Sequence, residues 1–129
     1  MGTCVRMGQA GSAVVRFERA VATGNPVLVL AAAHELPKPI QLRDALRVLL
    51  VLATADRERF PAAAARFGSR FVTEHRLDVA EAQLAFAALA ALVRLDPAAG
   101  GEALSSLLEG HGEQEAAEYL GEWLRTRGS

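Results

Sequence analysis

From Ser12 onward apolar residues recur at spacings of three and four, and polar residues gather in short clusters that read as helix ends. The pattern predicts seven helices. The first runs over Ser12–Thr23, with Ser12 as N-cap and Val14, Phe17 and Val21 on one face. Gly24-Asn25-Pro26 stops it and opens the second. Gly suits the left-handed position after a helix, Asn caps, and Pro fits the first turn, where its missing N–H has no partner anyway. Helix 2 is expected over Pro26–Leu36, ended by the rigid Pro37-Lys38-Pro39 break.

Helix 3, Gln41–Ala55, is apolar on nearly every side (Leu46, Val48, Leu49, Leu50, Val51, Leu52), which predicts a place at the centre of a bundle. Asp56 is the expected N-cap of helix 4, Arg57–His75, where Phe60, Ala64, Phe67 and Phe71 make an amphipathic stripe. Asp78 and Glu81 form a candidate capping box for helix 5, which runs to Leu95 and is again apolar all round, so it too is expected to be central. Asp96-Pro97 repeats the cap-plus-proline signal for helix 6, to Gly110, with Gly100-Gly101 weakening its first turns by roughly 1 kcal/mol each relative to Ala. Helix 7, Glu113–Arg125, places Ala116, Tyr119, Leu120, Trp123 and Leu124 on one side. No segment alternates with period two for long enough to make a strand.

Short loops make consecutive helices antiparallel neighbours. The helix 3–4 and helix 5–6 hairpins share a layout, an apolar first helix and an amphipathic second, at an offset in the range of tetratricopeptide and HEAT units. A compact bundle with two central helices explains the same pattern. The expected fold is all-α, six or seven antiparallel helices in a bundle or a short helical-hairpin array. Residues 12–129 form one helical domain, and the Gly-rich, aperiodic segment 1–11 is expected to be disordered.

Composition supports close helix packing. Half of the chain is apolar but only 5% is aromatic, and Ala occurs 26 times. Thirteen Arg stand against a single Lys, Lys38, the signature of GC-rich bacterial codon usage. A net charge of −1 gives no global attraction to DNA or anionic membrane. The halves differ: residues 1–76 carry 11 basic and 6 acidic groups, a surplus of +5, whereas residues 77–129 carry 3 and 9, or −6. Two arrangements answer that split: head-to-tail pairing of subunits, or helix 7 folded back on the basic face.

Cys4 is the only cysteine, so no intramolecular disulfide forms. Met1–Gly11 lacks the apolar core of a signal peptide, and the longest apolar run, Leu84–Val93, is half of a membrane span. A cytoplasmic protein without membrane contact is the expectation.

Candidate chemistry is sparse. His34, His75 and His111 have no second His or Cys at ligand spacing and read as surface or capping residues. No nucleophile motif occurs, and Gly8-x-x-Gly11 lacks the strand and spacing of a phosphate loop. No enzyme, cofactor or metal site is expected. Arg59, Arg66 and Arg70 project from one side of helix 4, a face able to meet phosphates, or solvated Arg pairing with Asp44, Glu58 and Glu74. Arg43 and Arg47 form an i, i+4 pair on helix 3. Tyr119 and Trp123, the chain's only Tyr and Trp, suit an interaction hot spot or a terminal helix that seals the core. Ala-rich helices also leave room for a small-molecule pocket.

Several stretches together resemble a known group: Arg16-Phe-Glu-Arg-Ala20, Gly24-Asn-Pro26 followed by Val27-Leu-Val-Leu-Ala-Ala-Ala, Glu35-Leu-Pro37, Leu42-Arg-Asp-Ala-Leu46, Arg66-Phe67 with Arg70-Phe71, and Glu81-Ala-Gln-Leu-Ala85. They are similar to the uncharacterised small Ala- and Arg-rich helical proteins of high-GC actinobacteria. The resemblance implies a helical fold and a bacterial setting, and no activity. The reading is a non-enzymatic protein-interaction or scaffold module, self-association included, with a partner protein or a second copy. The alternative is a nucleic-acid-associated regulator acting through Arg59, Arg66 and Arg70.

Overall fold

A computed structural model describes residues 2–94 and 96–128, with side chains for 11–94 and 96–127. Its described residues form seven α-helices and no strand: α1 Gly2–Thr23, α2 Pro26–Glu35, α3 Leu42–Ala55, α4 Phe60–His75, α5 Val79–Ala91, α6 Pro97–Gly110 and α7 Gln114–Gly128. No helix among them is long and apolar enough to cross a membrane. The expected disordered segment 1–11 has helical backbone from Gly2, and the side chains of residues 1–10 lie outside the described set.

The helix ends follow their local chemistry. Gly24 takes φ 70° after α1, and the Asn25 side chain accepts from Val27 N at 2.9 Å and Leu28 N at 3.3 Å. At α5, Asp78 accepts from Glu81 N at 2.8 Å while Glu81 reaches back to Asp78 N, which is the reciprocal capping box. Asp96 caps α6 through Ala99 N at 3.1 Å. Helix 4 starts three residues later than expected. A helix from Arg57 would need Pro61 to donate to Arg57, and proline has no N–H. Asp56 instead accepts from Arg59 N at 3.3 Å, closing a turn, and α4 begins at Phe60 with Pro61 in its first turn.

α3 is central. Leu46, Leu49, Leu50, Leu52 and Ala53 are at most 2% exposed, and α1, α2, α4 and α7 all pack on α3. Each fully buried Leu contributes roughly 1.5–3 kcal/mol of apolar transfer. α7 returns to α3, so α3 to α7 enclose one core, with Phe60, Phe67 and Phe71 of α4 facing Leu89, Leu104, Leu108 and Leu120. The α1–α2 hairpin adds a second cluster, in which Phe17, Ala20, Val29 and Leu36 meet Val51.

The expectation that helix 5 is central is corrected. α5 packs only between α4 and α6, burying Ala85, Ala88 and Leu89, while Val79, Leu84 and Phe86 are exposed. Its alanines make it apolar in every direction without supplying enough neighbours to cover it.

Glycine sets the spacing of this outer layer. A Cβ on Gly100 would sit 2.7 Å from the Ala88 carbonyl oxygen and 2.8 Å from Ala91 Cβ, so α6 rests directly on α5 there. A Cβ on Gly101 would lie 2.2 Å from Leu124 Cδ1, the movable end of a side chain on α7. The pair that weakens the helix locally is what lets α6 pack between two neighbours. Gly100→Ala should therefore destabilise by about 1–3 kcal/mol, overriding the ~1 kcal/mol gain in helix propensity. Gly101→Ala should cost clearly less, because Leu124 can turn aside. Urea unfolding of both variants checks the order, and equal midpoints would contradict it.

Candidate functional site

The three arginines expected to share a face are put to different uses. Arg59 pairs with Asp56 at 3.4 Å at the start of α4. Arg70 donates through Nε to Glu74 at 2.6 Å and through its terminal nitrogen to the Ile40 carbonyl, fastening α4 to the loop before α3. Arg66 is exposed and makes no hydrogen bond or ion pair among the described residues. Arg66 and Arg70 line a cleft between α2, α3 and α4, and Arg59 stands apart from it.

Tyr119 and Trp123 lie on the inner side of α7 and are packed against the core. Trp123 Nε1 donates to Thr54 Oγ1 at 3.3 Å, and Arg127 covers its ring at 4.6 Å. Tyr119 stacks beneath the Arg47 guanidinium at 5.1 Å. Both aromatics seal α7 to α3. The Arg43–Glu115 pair adds a charged link, so α7 does fold back on the basic half of the chain.

Arg47 is a tie that sequence spacing does not reveal. Its side chain is 15% exposed, donates to both carboxylate oxygens of Glu18 at 2.7 Å, and covers the Phe17 ring at 5.4 Å. One guanidinium thus joins α1, α3 and α7. The Arg47 hydrogen bond holds the Glu18 carboxyl below its ordinary 4.5, and Glu18 in turn keeps Arg47 more firmly protonated.

Two histidines are also drawn inward. His75 and His111 pack edge-on against Phe71 at 5.5 and 5.9 Å, with their rings 5.6 Å apart. His75 pairs with Glu113 at 2.9 Å and His111 with Glu81 at 2.8 Å, tying the ends of α4 and α6 to the starts of α7 and α5. No group of three His, Cys, Asp or Glu among the described residues is arranged to hold a metal ion.

Large apolar side chains are exposed on α1 and α2, at Val14, Val15, Val27 and Leu28, and on the outer side of α5. Val79 is 75% exposed, Leu84 46% and Phe86 39%, and Ala80, Ala87 and Ala90 are exposed beside them. No charged residue occurs from Ala82 to Val93. Phe86 lies against α4, where a Cβ on Gly68 would come within 2.4 Å of its ring. Next to this ring, Pro61, Ala65, Ala90 and Val93 line a shallow hollow of about 250 Å³. Leu84 projects from one flank of the exposed side of α5 and this hollow lies on the other, with exposed Gln83 between them. Compared with protein-family models, with characterised proteins and with solved structures, the chain matches none.

The Arg47 tie generates a testable asymmetry. Arg47→Met keeps the apolar stem and removes the pair and both ring contacts, which should weaken the docking of α1 by about 1–3 kcal/mol. Trypsin cleavage at Arg16 and Arg19 should accelerate by about tenfold or more, as open α1 becomes more populated. The Glu18 contribution has a defined sign. A carboxyl held below its unfolded value stabilises above that value and ceases to do so as the pH falls through the folded one. The stability difference between wild type and Glu18→Gln should thus close as the pH falls below 4.5. A difference that widens in acid would contradict the tie.

Proposed function

We propose that the protein is a non-enzymatic interaction module that self-associates through the outer face of α5. The observation carrying this reading is the uncharged stretch Ala82–Ala91 of α5, left with Leu84 and Phe86 exposed. Grouped exposed apolar side chains, here Val79, Leu84 and Phe86 among exposed alanines, mark interaction sites. A second copy fits the chemistry because α5 offers no charge from Ala82 to Ala91, Arg94 standing at the edge of the hollow. A two-fold axis brings the same patch of each copy together, so that a ridge in one must meet a recess in the other. Leu84 is the ridge, and the hollow lined by Pro61, Ala65 and Ala90 is the recess. Exposed alanines on the same face allow the two α5 helices to approach closely.

Association of this kind is apolar and differs from pairing of the basic and acidic halves, which salt would screen. The mass measured by light scattering should rise from monomer toward dimer with protein concentration, and the rise should persist at high salt. Leu84→Glu and Ala87→Arg, both at exposed helix positions, should hold the chain monomeric with an unchanged circular dichroism spectrum. A monomer at every concentration, or a dimer that dissolves in salt and ignores both substitutions, would overturn the reading.

A further inference from the structure

α2 and α4 both lie on α3, but their backbones do not approach one another. The space left between them is a cleft of about 330 Å³. Its floor is the side of α3 that carries Ala45, Val48, Leu49 and Leu52. Leu30 and Ala33 form the α2 wall, and Ala63 and Phe67 the α4 wall. Every polar side chain lining it is a cation or an imidazole, from His34, Lys38, Arg66 and Arg70, and no carboxylate lines it.

These basic groups are not equivalent. Arg70 is committed to Glu74 and to the Ile40 carbonyl, so it braces the wall. Lys38 gives one N–H to the Ala33 carbonyl at 3.0 Å and keeps two of its three donors. Arg66 makes no hydrogen bond or ion pair among the described residues, so its full fork of donors is available. The cleft therefore joins an apolar floor to one uncommitted guanidinium, with a lysine also lining it.

We infer that this cleft binds a small amphiphilic carboxylate, its hydrocarbon body on the α3 floor and its carboxylate on Arg66, assisted by Lys38. Charge complementarity selects an anion, since the lining carries positive charge without a competing acid. The volume selects the size: it lies at the lower end of the ~300–1,000 Å³ usual for small-ligand sites, room for one acyl chain and too little for a helix with several anchors. A single uncommitted guanidinium selects a single headgroup, held by a bidentate pair. The site lies on the α2–α3–α4 side and does not depend on association through α5.

Methyl-resolved NMR titrations of the full chain with decanoate and with decan-1-ol, both below the concentration at which they aggregate, test this directly. Decanoate should move the methyl signals of Leu30, Ala45, Val48 and Ala63 and leave those of Leu84 in place. Decan-1-ol, with the same tail and no charge, should bind about tenfold more weakly. Arg66→Gln should lower decanoate affinity by about the same factor and leave decan-1-ol unchanged. Ala63→Phe from one wall, or Ala33→Phe from the other, should remove binding of both while the remaining spectrum stays folded. Equal affinity for decanoate and decan-1-ol, indifference to Arg66→Gln, or a folded spectrum that decanoate does not move would overturn the proposal. So would cleft signals that shift on protein dilution alone, making a second copy the occupant, or displacement of decanoate by a Leu- and Glu-rich helical peptide.

Discussion

α3 carries an unbroken apolar run from Val48 to Ala53 that winds through more than a full turn, and that is the constraint from which the rest of the architecture follows. A helix whose Leu46, Leu49, Leu50 and Leu52 are at most 2% exposed must be covered on every side. Four helices do so, α1, α2, α4 and α7. Helices laid around a fifth do not all touch one another, and gaps open between them. One lies between α1 and α7, a cavity of about 260 Å³ lined by Val21, Leu50, Val51, Tyr119 and Trp123. Arg47 bolts its two sides together through Glu18 and Tyr119. The other lies between α2 and α4, and no comparable tie crosses the apolar floor there. The same packing problem is thus bridged by a guanidinium on one side and left unbridged over an apolar floor on the other.

α5 and α6 stand outside this arrangement. They complete the core by carrying the chain from α4 to α7, and they do so with small residues. Gly100 lets α6 rest on the α5 backbone, and Gly68 leaves room for the Phe86 ring on α4. Close approach on the inner side of α5 leaves nothing to cover the outer side. A helix without charge beyond Glu81 in that position leaves Leu84 and Phe86 exposed to water. The buried helix supplies stability, and the bare one is the surface on which association is proposed.

Features fixed by near neighbours were legible in the sequence. Asn25, the Asp78–Glu81 box, Asp96-Pro97 and the left-handed Gly24 all depend on residues within four positions, and each does what its chemistry predicts. Periodicity also identified α3 as central, because bulky Leu and Val all round demand cover. It misplaced α5 for a related reason: the pattern records how apolar a helix is, not how many helices surround it, and Ala counts as apolar without needing burial. The Arg47–Glu18 tie was not legible, since it joins residues 29 positions apart and an i, i+4 Arg pair looks the same on a solvated face. The two histidine–glutamate pairs link positions 38 and 30 apart and carry no local signature. Of the candidate arginines, spacing placed Arg66 and Arg70 on one side of α4, but only the fold shows that Arg70 is spent on Ile40 and Glu74.

Native-state hydrogen exchange, resolved by residue, tests the central place of α3 most directly. If every covering helix depends on α3, the amides from Leu46 to Ala53 should exchange only through global unfolding. The amides of α1 should then open at lower free energy, as a unit held by Phe17 and the Arg47 tie. Slowest exchange in α5 and α6, with α3 opening before them, would contradict the account.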